Sequence, residues 1–251
     1  MQNPPFPAAD EPGTVAVPDF ARPGRSFAGY VVEASLYEGD RSVVLRCRGS
    51  GGVPSVVKLL RCARLGPGEV ARFRLEYELS RRVPHERVVS ASALGSHDGV
   101  LFIAMPDDDA ISLREWLRSG GPLDPARAID VALAVVDALD AIHERNIVHK
   151  DVAPGNIIVR PGSDVIKLID FGIAASVSVE RTQAVSLRDL EGTLASMAPE
   201  QTGRMNRDVD YRADFYALGA TLYELLAGTP PFGALDDPLR ALHAHLALRP
   251  P

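Results

Sequence analysis

Three features of this chain predict an α+β fold in two lobes, a β-rich first lobe carrying one helix and a mainly helical second lobe. From Tyr30 onward, short Val-rich runs alternate with clusters of Gly, Asp and Ser, the pattern of a small antiparallel sheet. Past Pro106 the apolar spacing turns helical. Inside that second stretch, two short apolar runs, 157–159 and 165–169, flank the turn residues Pro161, Gly162 and Ser163. The two runs predict a hairpin that carries Asn156 and Asp170 to one edge.

Taken in order, residues 1–24 hold prolines at 4, 5, 7, 12, 18 and 23 among few large apolar side chains. Such a stretch neither pairs in a sheet nor buries a face, which predicts a disordered leader. Residues 25–105 form the first lobe. Its strands are expected around Tyr30–Val32, Val43–Leu45, Val56–Leu60 and Leu101–Met105, and its helix over Glu69–Val83 with Val70, Phe73, Tyr77 and Ser80 on one face. Residues 106–251 form the second lobe, which opens with Ser112 and Glu115 at the spacing of a capping box. Asp124 and Pro125 start the next helix, whose apolar positions Ala128, Ile129, Ala132, Val135, Val136, Leu139 and Ile142 predict a wide buried face. Asp214–Ala227 is a further helix, stopped by Gly228 and the Thr-Pro-Pro after it, and a last one starts near Asp237-Pro238.

At 251 residues, 46% hydrophobic and 24% charged, the composition is that of a globular protein. The net charge of −6 and the lack of a cationic stripe argue against a nucleic-acid surface. Neither a secretory core nor a membrane-spanning run is present, so the cytoplasm is the expected location. In that compartment Cys47 and Cys62 are expected as reduced, buried thiols.

The chemistry concentrates in His149–Val159 (HKDVAPGNIIV) and Ile169–Gly172 (IDFG). Phosphoryl transfer from Mg-ATP requires oxygens that hold metal ions and a group that receives the proton of the attacking hydroxyl. Asp151, Asn156 and Asp170 have the residue types and order for those roles. Lys58 in a strand and Glu76 on the first-lobe helix, eighteen positions later, offer a pair for the α- and β-phosphates.

The succession Val-Val-Lys, helix Glu, His-Lys-Asp…Asn, Asp-Phe-Gly and Ala-Pro-Glu resembles that of eukaryotic-type serine/threonine protein kinases, from about residue 30 onward. Leu190–Phe232 further resembles the N-terminal kinase module of large bacterial proteins that add an ATPase-like region, a GAF domain and a sensor histidine kinase. The resemblance implies ATP and Mg²⁺ as cofactors, a protein carrying the acceptor Ser or Thr, and those other signalling domains as partners, while the charge and the lack of an apolar span leave no nucleic acid and no membrane among the expected partners. It implies that Asp151 is the catalytic aspartate, that Asn156 and Asp170 bind magnesium, and that Lys58 contacts phosphate and pairs with Glu76. Thr193 would sit beside Asp151, Asp214 would brace the backbone around His149, and Ser176, Ser178, Thr182 and Ser186 are activation-segment hydroxyls. Gly39, Val44, Val56, Lys58, Met105, Pro106, Asp108 and Ile158 would surround ATP, with the Pro106 carbonyl and the Asp108 N–H reading adenine. A complete kinase second lobe has two more helices, so the chain is expected to be truncated.

Three positions depart from that pattern. The phosphate loop Tyr37–Val44 keeps one glycine, Gly39, where close backbone approach to phosphate favours several. Ala153 replaces the usual lysine two residues after Asp151, and Lys150 replaces the usual arginine, keeping the charge without its bidentate fork. Two functions remain open on these residues: a kinase acting on Ser or Thr of a protein, and a pseudokinase-like module with little or no transfer. A small-molecule phosphotransferase is opposed by the peptide-platform pattern of Gly-Thr…Ala-Pro-Glu.

Overall fold

The computed structural model describes residues 17–61, 67–176, 194–203, 207–233 and 237–249. They form two compact units, one built from the chain through Ala71 with Ser92–Met105, the other from Arg72–Ala91 with Pro106 onward.

The first unit is a six-stranded sheet, ordered β1-β2-β3-β4-β6-β5. Its strands are β1 (Ser26–Phe27), β2 (Tyr30–Glu38), β3 (Ser42–Arg48), β4 (Pro54–Leu60), β5 (Ala93–His97) and β6 (Val100–Pro106). Alternation decides which side is buried: Val43, Leu45 and Cys47 of β3 point inward with Val57 and Leu59 of β4. They join Phe27, Val32, Phe102 and Ala104 in one core.

Residues 17–24 of the expected leader are ordered. Val17 and Phe20 pack on that core, Ala21 is 2% exposed, and Asp19–Ala21 form a 3-10 turn. The Phe20 ring lies 5.3 Å from Phe27 and 4.9 Å from His97. One aromatic side chain thus supplies the buried area that the proline-rich composition hides. Residues 1–16 lie outside the described residues.

The helix predicted over Glu69–Val83 is α1 (Pro67–Arg82). It buries Phe73, Glu76, Leu79 and Ser80, while Tyr77 is half-buried. The second unit continues with β7 (Ile111–Ser112), α2 (Leu113–Gly120), α3 (Pro125–His143), β8 (Ile147–Val148), β9 (Ile157–Val159), β10 (Ile166–Leu168), β11 (Ala175–Ser176), α4 (Arg212–Ala227) and α5 (Pro238–Ala247). The predicted caps are present: Ser112 accepts from Glu115 N at 3.2 Å, Asp124 accepts from Arg127 N at 3.1 Å, and Gly228 ends α4 in the left-handed conformation.

The wide buried face expected of α3 is narrower than its apolar content. Val131, Val135, Leu139 and Ile142 are buried with four alanines, whereas Ile129 is 59% and Val136 44% exposed. Each residue turns the helix by about 100°, so Ile129 and Val136 are rotated past the contact edge. Leu133 shares their exposed side.

Candidate functional site

The hairpin of β9 and β10 forms as expected, with Val159 opposite Ile166 and Ile157 opposite Leu168. Those four are buried, which leaves the paired Ile158 and Lys167 on the opposite, half-exposed face beside Ser112 of β7. Ile169 N donates to Asn156 O at 2.9 Å, so the segments carrying Asn156 and Asp170 are joined at the edge that the sequence predicts.

The loop between β8 and β9 is held from below. Asp214, fully buried on α4, accepts from His149 N at 2.9 Å and from Lys150 N at 2.6 Å. His143, in the last turn of α3, adds its Nε2–H to the same carboxylate at 2.7 Å. A buried carboxylate is tolerated only when its oxygens are filled, and three donors fill these. Gln201 Nε2 donates to Lys150 O at 2.9 Å while its Oε1 accepts from Ala198 N at 3.0 Å, which ties the Ala-Pro-Glu segment to the loop. Thr221 Oγ donates to Val152 O at 3.1 Å.

Within the loop, His149 Nδ1 accepts from Asp151 N at 3.3 Å, so the neutral ring carries its proton on Nε2. That atom is buried without a hydrogen-bond partner among the described residues, and the ring packs 5.2 Å from Phe171. His149 is thus a packing residue. Lys150 (φ 67°) and Asp170 (φ 70°) both occupy the left-handed region, sparsely used by residues other than glycine. The Asp151 main chain is fixed by Asn156, whose Nδ2 donates to Asp151 O at 2.9 Å.

That bond also decides which Asn156 atom faces a ligand. With Nδ2 committed, the amide oxygen is the atom offered to a cation. Asp170 Oδ1 accepts from Gly172 N at 2.8 Å. A methyl group on Gly172 would meet Asp170 Oδ1 at 2.8 Å, so glycine here leaves room for that carboxylate. An amide and a carboxylate oxygen suit magnesium, which completes its shell with water and phosphate oxygens. Among the described residues, no group of three His, Cys, Asp or Glu could hold a metal by itself.

In the first unit, Lys58 stands opposite Val44, and Val56 opposite Arg46. The β2–β3 turn is tightly held: Gly39 N donates to Ser42 O at 2.9 Å, while Arg61 donates through N to Arg41 O at 2.7 Å and through Nη1 to Gly39 O at 3.2 Å. The Tyr37 hydroxyl lies where a Gly39 Cβ would stand. Met105 and Pro106 close β6, and Asp108 follows two residues after the strand ends. Ala153 is 4% exposed and brings no charge to the loop. Thr193, Ser178, Thr182, Ser186 and Cys62 lie outside the described residues.

Sequence reasoning missed His143, Gln201, Thr221, Arg160 and Lys167. Only Gln201 had a readable signal, since a Gln three residues after a helix-starting position commonly bonds back to that residue's N–H.

Residues 30–246 match the protein kinase domain family. The chain is 34% identical over 196 residues to the serine/threonine-protein kinase PknB of Mycobacterium tuberculosis, covering 76% of this chain and 30% of that protein. It is 33% identical over 228 residues to PknE of the same organism, covering 90% and 39%, and 40% identical over 181 residues to PknD, covering 70% and 26%. The matches therefore span between about a quarter and two fifths of these relatives' own length.

Proposed function

The chain belongs to the protein kinase domain family, and on that premise we propose that it transfers the γ-phosphoryl of ATP to Ser or Thr of a protein substrate in bacterial signalling. The observation that carries this reading is the braced loop: three donors on buried Asp214 hold the backbone from which Asp151 and Asn156 project. Pre-positioning of this kind is the main contribution a protein makes to phosphoryl transfer, where little covalent chemistry falls to its side chains.

In the proposed mechanism, Asp151 orients the acceptor hydroxyl and takes its proton as the oxygen bonds to the γ-phosphorus, while the bond from that phosphorus to the β–γ bridging oxygen breaks and ADP leaves. Asn156 and Asp170 hold magnesium, which supplies charge neutralisation at the phosphate oxygens. Lys58 contacts the phosphates and pairs with Glu76. Gly39, Val44, Val56, Met105 and Ile158 surround the nucleotide, and adenine is read by the Pro106 carbonyl and the Asp108 N–H. Thr193 lies beside Asp151 and helps admit Ser or Thr, and Ser176, Ser178, Thr182 or Ser186 accepts a regulatory phosphate. The bacterial cytoplasm is the proposed location, with an ATPase, GAF or histidine kinase domain as partner. Among the described residues, no helix is long and apolar enough to cross a membrane.

A second reading, an interaction module that holds nucleotide without transfer, is favoured by buried Ala153, which leaves one fewer cation for the transferring group. Labelled Mg-ATP with a generic protein acceptor separates the two. Wild type is expected to transfer label, and Asp151→Asn to lose about 10²-fold or more. Bound nucleotide without transfer would give the second reading its case, and undiminished label in Asp151→Asn would remove Asp151 from its role.

A further inference from the structure

Asp108 is clamped by two side chains from the β9–β10 hairpin. Arg160 donates through both Nε, at 2.6 Å, and Nη2 to the Asp108 carbonyl oxygen. Lys167 Nζ lies 2.8 Å from Asp108 Oδ1 and 2.9 Å from Oδ2. Strand register explains why two cations converge there. Lys167 stands directly across from Ile158, and Arg160 follows Ile158 by two residues, so all three belong to the face of the hairpin turned away from the core. The ion pair is half-buried, at 25% and 18% exposure, so solvent screens it less than a surface pair. Next to it, Asp107 Oδ1 accepts from Asp109 N at 2.9 Å, and Asp109 takes φ 52°.

A carbonyl oxygen has two lone pairs, and Arg160 fills both. The Asp108 N–H has no acceptor among the described residues. We propose that Arg160 and Lys167 are positioning residues for the nucleotide base: they immobilise the Asp108 peptide and mask its carbonyl, so that this residue offers a base one donor and no acceptor. This rests on the reading of Asp108 as the adenine donor. The chemistry selected is a purine with a ring-nitrogen acceptor at that point. A purine carrying an additional amino donor at C2 finds no acceptor on Asp108.

The test measures equilibrium binding of ATP and of 2,6-diaminopurine riboside triphosphate to wild type, Arg160→Ala, Arg160→Lys and Lys167→Met, beside kinetics with saturating protein acceptor. In Arg160→Ala the dissociation constant and KM for ATP are expected to rise about tenfold, the scale of losing one charge-assisted contact, and the loss to appear in KM rather than kcat. The same variant unmasks the carbonyl, so the affinity ratio of diaminopurine nucleotide to ATP is expected to rise above the wild-type ratio. Arg160→Lys, which restores a donor, is expected to recover part of the ATP affinity. Lys167→Met keeps the mask and loosens the residue, so it weakens both nucleotides alike. ATP binding unchanged in both Arg160→Ala and Lys167→Met overturns the clamp, as does a loss confined to kcat. An unchanged ratio in Arg160→Ala overturns the masking. If Arg160→Ala does not fold, Arg160→Lys and Lys167→Met decide the clamp alone. Binding is read without turnover, so failure of transfer in wild type sinks the kinase reading and leaves the clamp standing, and the converse holds.

Discussion

Asp214 shows how one buried side chain sets the geometry of a loop more than sixty residues earlier. Replacing it with alanine strands two buried backbone N–H groups and the His143 ring proton, each a desolvated donor. The expected loss is about 3–5 kcal/mol, read as a lower midpoint in urea denaturation at an unchanged slope. His143→Ala removes one donor and leaves both backbone bonds, so a loss of about 1–2 kcal/mol is expected in the same measurement. Equal losses would show that the backbone bonds contribute little. Asp214 itself was legible because its place in the Asp214–Ala227 helix matched a family pattern. His143 was not, because a histidine closing an apolar helix has the same local sequence whether its ring meets solvent or a carboxylate from another helix.

At the scale of elements, legibility followed local chemistry. β3, β4, β6 and the β9–β10 hairpin were readable because Val-rich runs and turn residues mark them, and α2, α3 and α4 because caps mark their ends. The two-residue strands β7, β8 and β11 were not, since two residues carry no period. The Asp124 cap is a fair test: Asp124→Ala is expected to cost about 1 kcal/mol, against a few tenths for glycine. Thermal melts of the two variants would check it, and equal melting shifts would mean that the side-chain oxygen contributes nothing. The burial of α3 was misjudged because periodicity reports that a helix has an apolar face, whereas its width depends on what packs there. Ile129, Leu133 and Val136 remain outside that contact.

At the scale of the molecule, two separate cores carry the fold, one under the sheet of the first unit and one around α3 in the second. Cys47 reports on the first. It is fully buried, and burial first, then the nearby Glu33 charge, pushes its thiol up to about 12 from an ordinary 9.0. The folded state therefore favours the neutral thiol. This preference has no effect on stability below about pH 9 and destabilises the fold as pH rises from there toward 12, because the unfolded thiol ionises first. Alkylation at pH 8 is expected to leave Cys47 unmodified in native protein and to modify it in urea, as read by peptide mass. Modification at equal rates in both states would contradict the burial. The two-lobe plan was readable from a change of period near Pro106, yet the packing of Val17 and Phe20 was not, since proline content outweighed a single aromatic residue.

The left-handed backbone at Lys150 and Asp170 bears on how this sequence drifts. Asparagine and glycine tolerate that conformation, and branched side chains such as valine or isoleucine are penalised by about 1–2 kcal/mol before any chemistry is considered. Steric selection thus narrows the substitutions reachable by neutral change at both positions. A lineage released from selection on turnover would still be filtered there by its backbone, and would keep the outline of these two segments after their reaction had ceased to matter.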